Sequence, residues 1–254
     1  MRLSRDTGET PSIDLPVPRR ALAIGAHPDD VEFGCAATLA KWTGAGADAQ
    51  LLVLTDGSKG SWDPGGDPRA LVATRHDEQR DAAAALGISE VHFLDLVDGE
   101  LTGSRAEVAA VCEVIRRVRA DVVLGHDPWK RYRLHPDHRH AGNLTIEGIV
   151  AARDPHFFPR LGAPHRPDRL LLFEADVVDH VEDIDATFDA KVASLLAHRS
   201  QWLSTMGIEA GSDEEGAQRA AFVAELRTVA EVAGALVPDH PVGLGEAFKL
   251  IEPL

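Results

Sequence analysis

The sequence predicts an α/β fold, a Rossmann-like and mostly parallel sheet with helices on both faces and a C-terminal helical portion. Three observations predict it. Apolar runs at 21–26, 50–55, 91–94 and 121–126 alternate with helical stretches at about 31–46, 69–86, 104–120 and 138–152. Strands joined through amphipathic helices make right-handed crossovers and so lie parallel. Two of the strands run directly into histidine and aspartate, His27-Pro28-Asp29-Asp30 and His126-Asp127, at the sheet edge where open α/β folds keep their sites.

Taken in order, residues 1–18 are polar, with Pro11, Pro16 and Pro18, and read as an extension lying on the surface. Ala21 to Ile24 is a short buried strand closed by Gly25 and Pro28. Gly87 stands where a helix stop belongs. In the helix at 104–120, Val108, Val111, Ile115 and Val118 share one face, and Ser104 with Glu107 forms a capping box. Residues 153–168 are too rich in proline for an element; they read as a long loop that, with Trp129, borders the mouth of a site. Leu170 to Phe173 gives a further strand. Helical stretches follow at about 185–203 and 213–235, the second opened by Ser212 and Glu215 as another capping box, and Gly245 to Ile251 is a last strand. No repeat or low-complexity linker interrupts the chain, so a single domain over 1–254 is expected, with 1–18 as its surface extension.

Composition narrows the function. The 254 residues can bury a substantial core, and 44% hydrophobic with 26% charged residues is ordinary for a globular protein. A formal net charge of −15 argues against nucleic acid and anionic membranes, since both need a positive surface. No apolar run approaches the ~20 residues that cross a bilayer, and the N-terminus lacks the apolar core of a signal peptide. Cys35 and Cys112 cannot build a disulfide framework and lack metal-ligand spacing, so a reduced, cytoplasmic protein is expected. Whether it forms a homo-oligomer is left open.

The chemistry-bearing residues fall in two clusters. His and Asp suit Zn²⁺, and two consecutive carboxylates cannot both aim at one ion, so one of Asp29 and Asp30 ligates while its neighbour stays free. Catalytic zinc sites use such a free carboxylate as a base. The competing reading is that both aspartates cap the following helix. The second cluster, His126-Asp127 and then His135-Pro136-Asp137-His138, follows another strand. Pro136 fits a first helical turn, which puts His135 and His138 on one side of it. His/Asp clusters at adjacent strand ends desolvate one another unless a cation joins them. The loop Thr55 to Trp62 misses the phosphate-loop spacing and reads as a substrate loop, with Trp62 offering a face to a sugar, or as a plain loop. His76, His92, His156, His165, His180, His198 and His240 read as core or surface histidines, and Asp127 and His140 as partners of metal-bound histidines.

Ala26-His27-Pro28-Asp29-Asp30-Val31-Glu32 followed by His135-Pro136-Asp137-His138 resembles the LmbE-like superfamily of zinc-dependent de-N-acetylases. Its members include GlcNAc-phosphatidylinositol de-N-acetylase and the deacetylases and amidases of mycothiol and bacillithiol metabolism. The resemblance covers most of residues 20–150. It implies one Zn²⁺ per chain held by His27, Asp30 and His138, with other divalent ions also able to serve. It further implies Asp29 as general base and His135 as the group that stabilises the oxyanion or protonates the leaving amine. Glu32 and Asp137 match supporting positions, and Arg75 and Asp98 match places where the family contacts polar substrate. Two departures stand out: Ala36-Ala37 replaces a frequent Gly-Gly, and Arg133 stands where the mycothiol enzymes carry tyrosine, with Tyr132 one place earlier.

The implied activity is removal of an N-acetyl group from a GlcNAc-type amino sugar in a small glycoconjugate. An amidase cutting a larger acyl group and a metal-holding but inactive accessory protein are the alternatives. A dinucleotide-binding module is disfavoured, because paired carboxylates in the first strand-to-helix turn repel pyrophosphate.

Overall fold

Strand β2 (Arg20–Gly25) is buried on both sides, and this dictates a sheet covered by helices on both faces. Leu22 and Ile24 pack with Val111, Ile115 and Leu144 on one side, whereas Ala21 and Ala23 meet Val31, Leu39 and Trp42 on the other. The computed structural model describes residues 10–88, 90–239 and 242–254, so residues 1–9 and His240 of the sequence reading lie outside it.

The elements after a two-residue strand β1 (Ser12–Ile13) and β2 are α1 (Asp30–Gly44), β3 (Asp48–Thr55), α2 (Pro68–Ala85), β4 (Glu90–Leu96), α3 (Arg105–Val118) and β5 (Val122–His126). There follow α4 (Pro136–Arg153), β6 (Arg169–Phe173), β7 (His180–Asp183), α5 (Phe188–Ala197), α6 (Glu215–Gly234) and β8 (Gly245–Ile251). They build one eight-stranded sheet in the order β1-β7-β8-β6-β5-β2-β3-β4. Pairing is parallel except where β8 runs against β6 and β7. Because β2 lies between β3 and β5, the chain leaves β2 on one side and returns on the other. The carboxyl ends of β2 and β5 therefore flank the topological switch point, where such sheets open a crevice.

The Ser104–Glu107 capping box opens α3 as expected. Several local expectations are corrected. No side chain caps α6; it starts at Glu215, whose carboxylate accepts the Gly211 amide at 2.7 Å. The expected helix at 185–203 ends at Ala197, because His198 leaves helical conformation, and continues as a 3₁₀ turn, Arg199–Gln201, and a π turn, Trp202–Met206. Within the stretch read as a surface extension, Ser12 and Ile13 pair with His180 and Val181 of β7. The loop at 153–168 lies away from the site. Helix α4 starts at the carboxyl edge of the sheet, so its far end and the loop that enters β6 occupy the opposite edge. Buried Arg116 holds that end by donating to the carbonyls of Ala151, Ala152, Asp154 and Phe157 at 2.8–3.1 Å.

Among the described residues no helix is long and apolar enough to cross a membrane.

Candidate metal centre

Four segments deliver side chains to the switch point: the β2–α1 turn, the end of β5, the first turn of α4 and the residue after β6. The turn matters most. Asp29 is the residue before α1 and takes φ 95°, ψ −23°, left-handed values unusual without glycine. Its side chain makes no cap bond, so the capping reading fails for Asp29. The Asp30 carboxylate turns back to accept the His27 amide at 2.7 Å.

His27, Asp30 and His138 are all buried, and one potential ligand atom from each lies within 4.8 Å of the others. Asp30 is the bridge, with one oxygen 3.2 Å from His27 Nδ1 and the other 3.2 Å from His138 Nε2. The second nitrogen of each histidine faces a carboxylate. His27 Nε2 is 3.2 Å from both Asp98 and Asp137, and His138 Nδ1 is 3.5 Å from Glu174, with Arg133 donating to the same nitrogen at 3.0 Å. Carboxylates behind the outer nitrogens are the arrangement that orients metal-binding imidazoles. The donor set therefore fits a divalent cation.

Two other groups have similar spacing, His27 with His135 and Asp137, and His126 with His138 and Glu174. Their carboxylates have other work. Asp137 accepts the amides of Gly99 and Leu101 at 2.6 and 3.3 Å, and Glu174 pairs with Arg133 at 2.8 Å.

The carboxylates around the histidines favour positive charge at this place. Burial alone would keep His27 neutral, yet Asp137, Asp30 and Asp98 push its pKa up to about 12. Burial likewise opposes ionisation of Asp30, but His138 and His126 hold its carboxyl well below the usual range. Asp29 behaves differently. Burial raises it to about 6, against the nearby Arg75 guanidinium, which places a carboxylate poised to take a proton beside the histidines.

The remaining expected residues separate. His135 caps α4, accepting the Asp137 amide at 3.3 Å, is exposed, and has its ring centroid 4.7 Å from that of His27. Arg75, expected to meet substrate, is 3% exposed and committed to the protein. It donates to Pro28 O and Gly57 O at 2.5 and 2.9 Å and lies 3.3 Å from the Asp29 carboxylate. Asp98 lines the cavity but faces His27 and the Lys59 amide. Trp62 is 86% exposed and does not line the cavity, nor does Trp129. Glu32 touches none of the ligands; it is bound by Gln79 Nε2 at 2.6 Å.

Sequence reasoning puts His126 in the second cluster without a role, reads His198 as a core or surface histidine, and misses Glu174 and Gln79. His126 Nε2 lies 3.3 Å from Asp30, and its Nδ1 is 3.2 Å from Glu174. The rule that singled out His27, a polar residue directly after a strand, also points to Glu174 after Phe173. Gln79 and His198 give no such signal.

Residues 22–149, which carry the first histidine–aspartate turn and the start of α4, match the family model described as GlcNAc-PI de-N-acetylase. The chain belongs to that family. It is accordingly a hydrolytic N-deacetylase. The diacetylchitobiose deacetylase of Thermococcus kodakarensis is 34% identical over 199 residues, which span 72% of this chain and 70% of that protein. The 1D-myo-inositol 2-acetamido-2-deoxy-alpha-D-glucopyranoside deacetylase of Kineococcus radiotolerans is 36% identical over 179 residues, 58% of this chain and 49% of that protein. The structure of the N,N'-diacetylchitobiose deacetylase from Pyrococcus horikoshii, solved with its inhibitor, superposes with a TM-score of 0.80 at 27% identity, covering 92% of this chain and 84% of that one. The GlcNAc-PI de-N-acetylase match ends inside α4, so β6 with Glu174 and the helical C-terminal portion lie beyond it, whereas the structural superposition covers 92% of the chain.

Proposed function

We propose that the chain removes the acetyl group from a GlcNAc-type amino sugar in a small glycoconjugate, with one zinc ion held by His27, Asp30 and His138. The observation that carries this reading is the convergence of those three donors within 4.8 Å beside an Asp29 carboxylate that caps nothing. Zinc bound there supplies a Lewis acid that polarises the amide carbonyl and lowers the pKa of water to about 7. Asp29 accepts the proton of the attacking water and is the general base. His135, exposed with its ring centroid 4.7 Å from that of His27 and 5.1 Å from that of His138, meets the charge that develops on the carbonyl oxygen or passes a proton to the departing amine. Asp98, Asp137 and Glu174 keep the two histidines turned toward the ion.

The test is acetate release from diacetylchitobiose and GlcNAc-inositol, the substrate types that the relatives' names suggest, with metal content measured alongside. The expected outcome is about one zinc per chain and, in Asp29→Ala, retention of that zinc with at least about a 100-fold loss of acetate release. Full activity in Asp29→Ala overturns the base assignment.

A second reading, removal of a larger acyl group, is favoured by one observation. The cavity that opens over the histidines, about 740 Å³, continues to apolar Phe33, Met206, Phe222 and Leu226. Comparing acetyl with octanoyl amides of the same sugar separates the two readings.

A further inference from the structure

Helix α2 reaches the Pro28-Asp29 turn with two side chains one helical turn apart, Arg75 and Gln79. Arg75 holds the turn from its carbonyl side, through Pro28 O. Gln79 holds it from the amide side. Its Oε1 accepts the Asp29 N–H at 3.1 Å, and its Nε2 donates to Glu32 Oε1 at 2.6 Å. The amide cannot be reversed, because that would set N–H against N–H at Asp29 and oxygen against the Glu32 carboxylate. Gln79 is 1% exposed, and Glu32 and His198 are both fully buried, with His198 Nε2 3.6 Å from Glu32 Oε2. A run of contacts thus links His198, Glu32, Gln79 and the backbone of Asp29.

The strain is at the far end of that run. Asp29 sits at φ 95°, a conformation that a residue with a Cβ keeps only when its surroundings impose it. In an ordinary right-handed or extended conformation its carboxylate would leave the cavity or cap α1. Among the described residues the Gln79 bond to the Asp29 amide is the one side-chain contact to that peptide's N–H.

We propose that Gln79 is a positioning residue for the hydrolysis. Its amide, anchored by Glu32, holds the Asp29 peptide left-handed and thereby keeps the Asp29 carboxylate on the attacking water. The inference rests on Asp29 being the base, and the experiment separates the two claims. Gln79→Met keeps the volume and removes both hydrogen bonds; Gln79→Glu combined with Glu32→Gln exchanges the two partners, so that an oxygen at 79 still faces the Asp29 amide while the amide at 32 donates the buried bond.

For the zinc-loaded chain hydrolysing diacetylchitobiose, Gln79→Met is expected to lower kcat by about 10- to 100-fold with KM and bound zinc unchanged. The exchanged pair Gln79→Glu with Glu32→Gln is expected to recover most of that loss. An unchanged kcat in Gln79→Met, a kcat loss that tracks loss of zinc, or an equal loss in the exchanged pair overturns the proposal. Where Gln79→Met fails to fold, the smaller Gln79→Ala carries the same comparison. Asp29→Ala at wild-type kcat overturns the base reading, and this inference with it. A silent Gln79→Met beside an inactive Asp29→Ala overturns the positioning role alone.

Discussion

The Glu246 carboxylate caps the second half of α1, accepting the Thr38 amide at 2.8 Å and the Ala37 amide at 3.2 Å. It does so because the helix breaks at Cys35, where φ −153° and ψ 20° take the backbone out of helical conformation and leave those amides without their usual carbonyls. Lys191 closes the arrangement, donating to Phe33 O at 2.7 Å and to Glu246 at 2.6 Å. Removing Lys191 strands a buried carboxylate. Lys191→Met is therefore expected to lower stability by about 3–5 kcal/mol, read from urea denaturation midpoints. A change below about 1 kcal/mol would mean that the two amides and the Thr38 hydroxyl, 2.6 Å away, satisfy Glu246 without Lys191.

Glu174 touches both His126 and His138 on the nitrogens turned away from Asp30, and so supports the β5 and α4 sides of the cluster together. Burial opposes its ionisation, yet His126 and His138 bring its pKa down to about 2, so it is charged throughout the working range. Glu174→Gln keeps the shape and removes the charge behind His138. Zinc affinity, measured by chelator competition, is expected to fall about 10- to 100-fold. Affinity equal to wild type would show that Arg133, not Glu174, orients that ring.

Much of this was readable in the sequence, and the failures have physical causes. The strands β2, β3, β5 and β6 are continuous apolar runs because helices bury both their faces, and that pattern is unambiguous. His180–Asp183 gives no strand signal in the sequence, because its Glu182 reads as a surface residue and is buried only by pairing with Lys41 at 2.5 Å. His27, Asp30 and His138 are tied to strand ends and a helix start, which local spacing encodes. Gln79 and His198 reach the same turn from α2 and from beyond α5, and only the tertiary fold brings them there. The proline-rich loop at 153–168 was misplaced because length suggests function but carries no information about which sheet edge a loop occupies.

Helix α4 passes so close to the end of β5 that a Cβ on Gly142 would lie 2.6 Å from His126 O and 2.8 Å from Pro128 N. Both obstacles are backbone and cannot rotate away. Gly142→Ala is expected to destabilise the chain by about 1–3 kcal/mol through overpacking. It should also push His138 away from Asp30, since both histidine and clash sit on the same helix. Zinc affinity is therefore expected to fall in step with stability, and thermal unfolding with and without added zinc checks both.

The α3 capping box gives the pH dependence its clearest sign. Burial would raise the Glu107 carboxyl, but the Ser104 amide at 2.5 Å and the Thr102 hydroxyl at 2.9 Å hold it below its ordinary 4.5. Its folded-state value is thus lower than its unfolded one. The stability it contributes is complete above about pH 4.5 and is lost as the pH falls through the depressed folded value. Glutamine also fits the third position of a capping box, so Glu107→Gln keeps the bonds from the Ser104 amide and the Thr102 hydroxyl and loses the charge together with the 3.3 Å bond from the Thr102 amide. At about pH 7 the variant is expected to cost no more than about 1 kcal/mol. Between about pH 5 and about pH 3 its urea midpoint is expected to fall less steeply than that of the wild type, because one depressed carboxyl no longer takes up a proton on unfolding. Parallel curves for the two proteins would mean that the Glu107 charge contributes nothing to acid sensitivity.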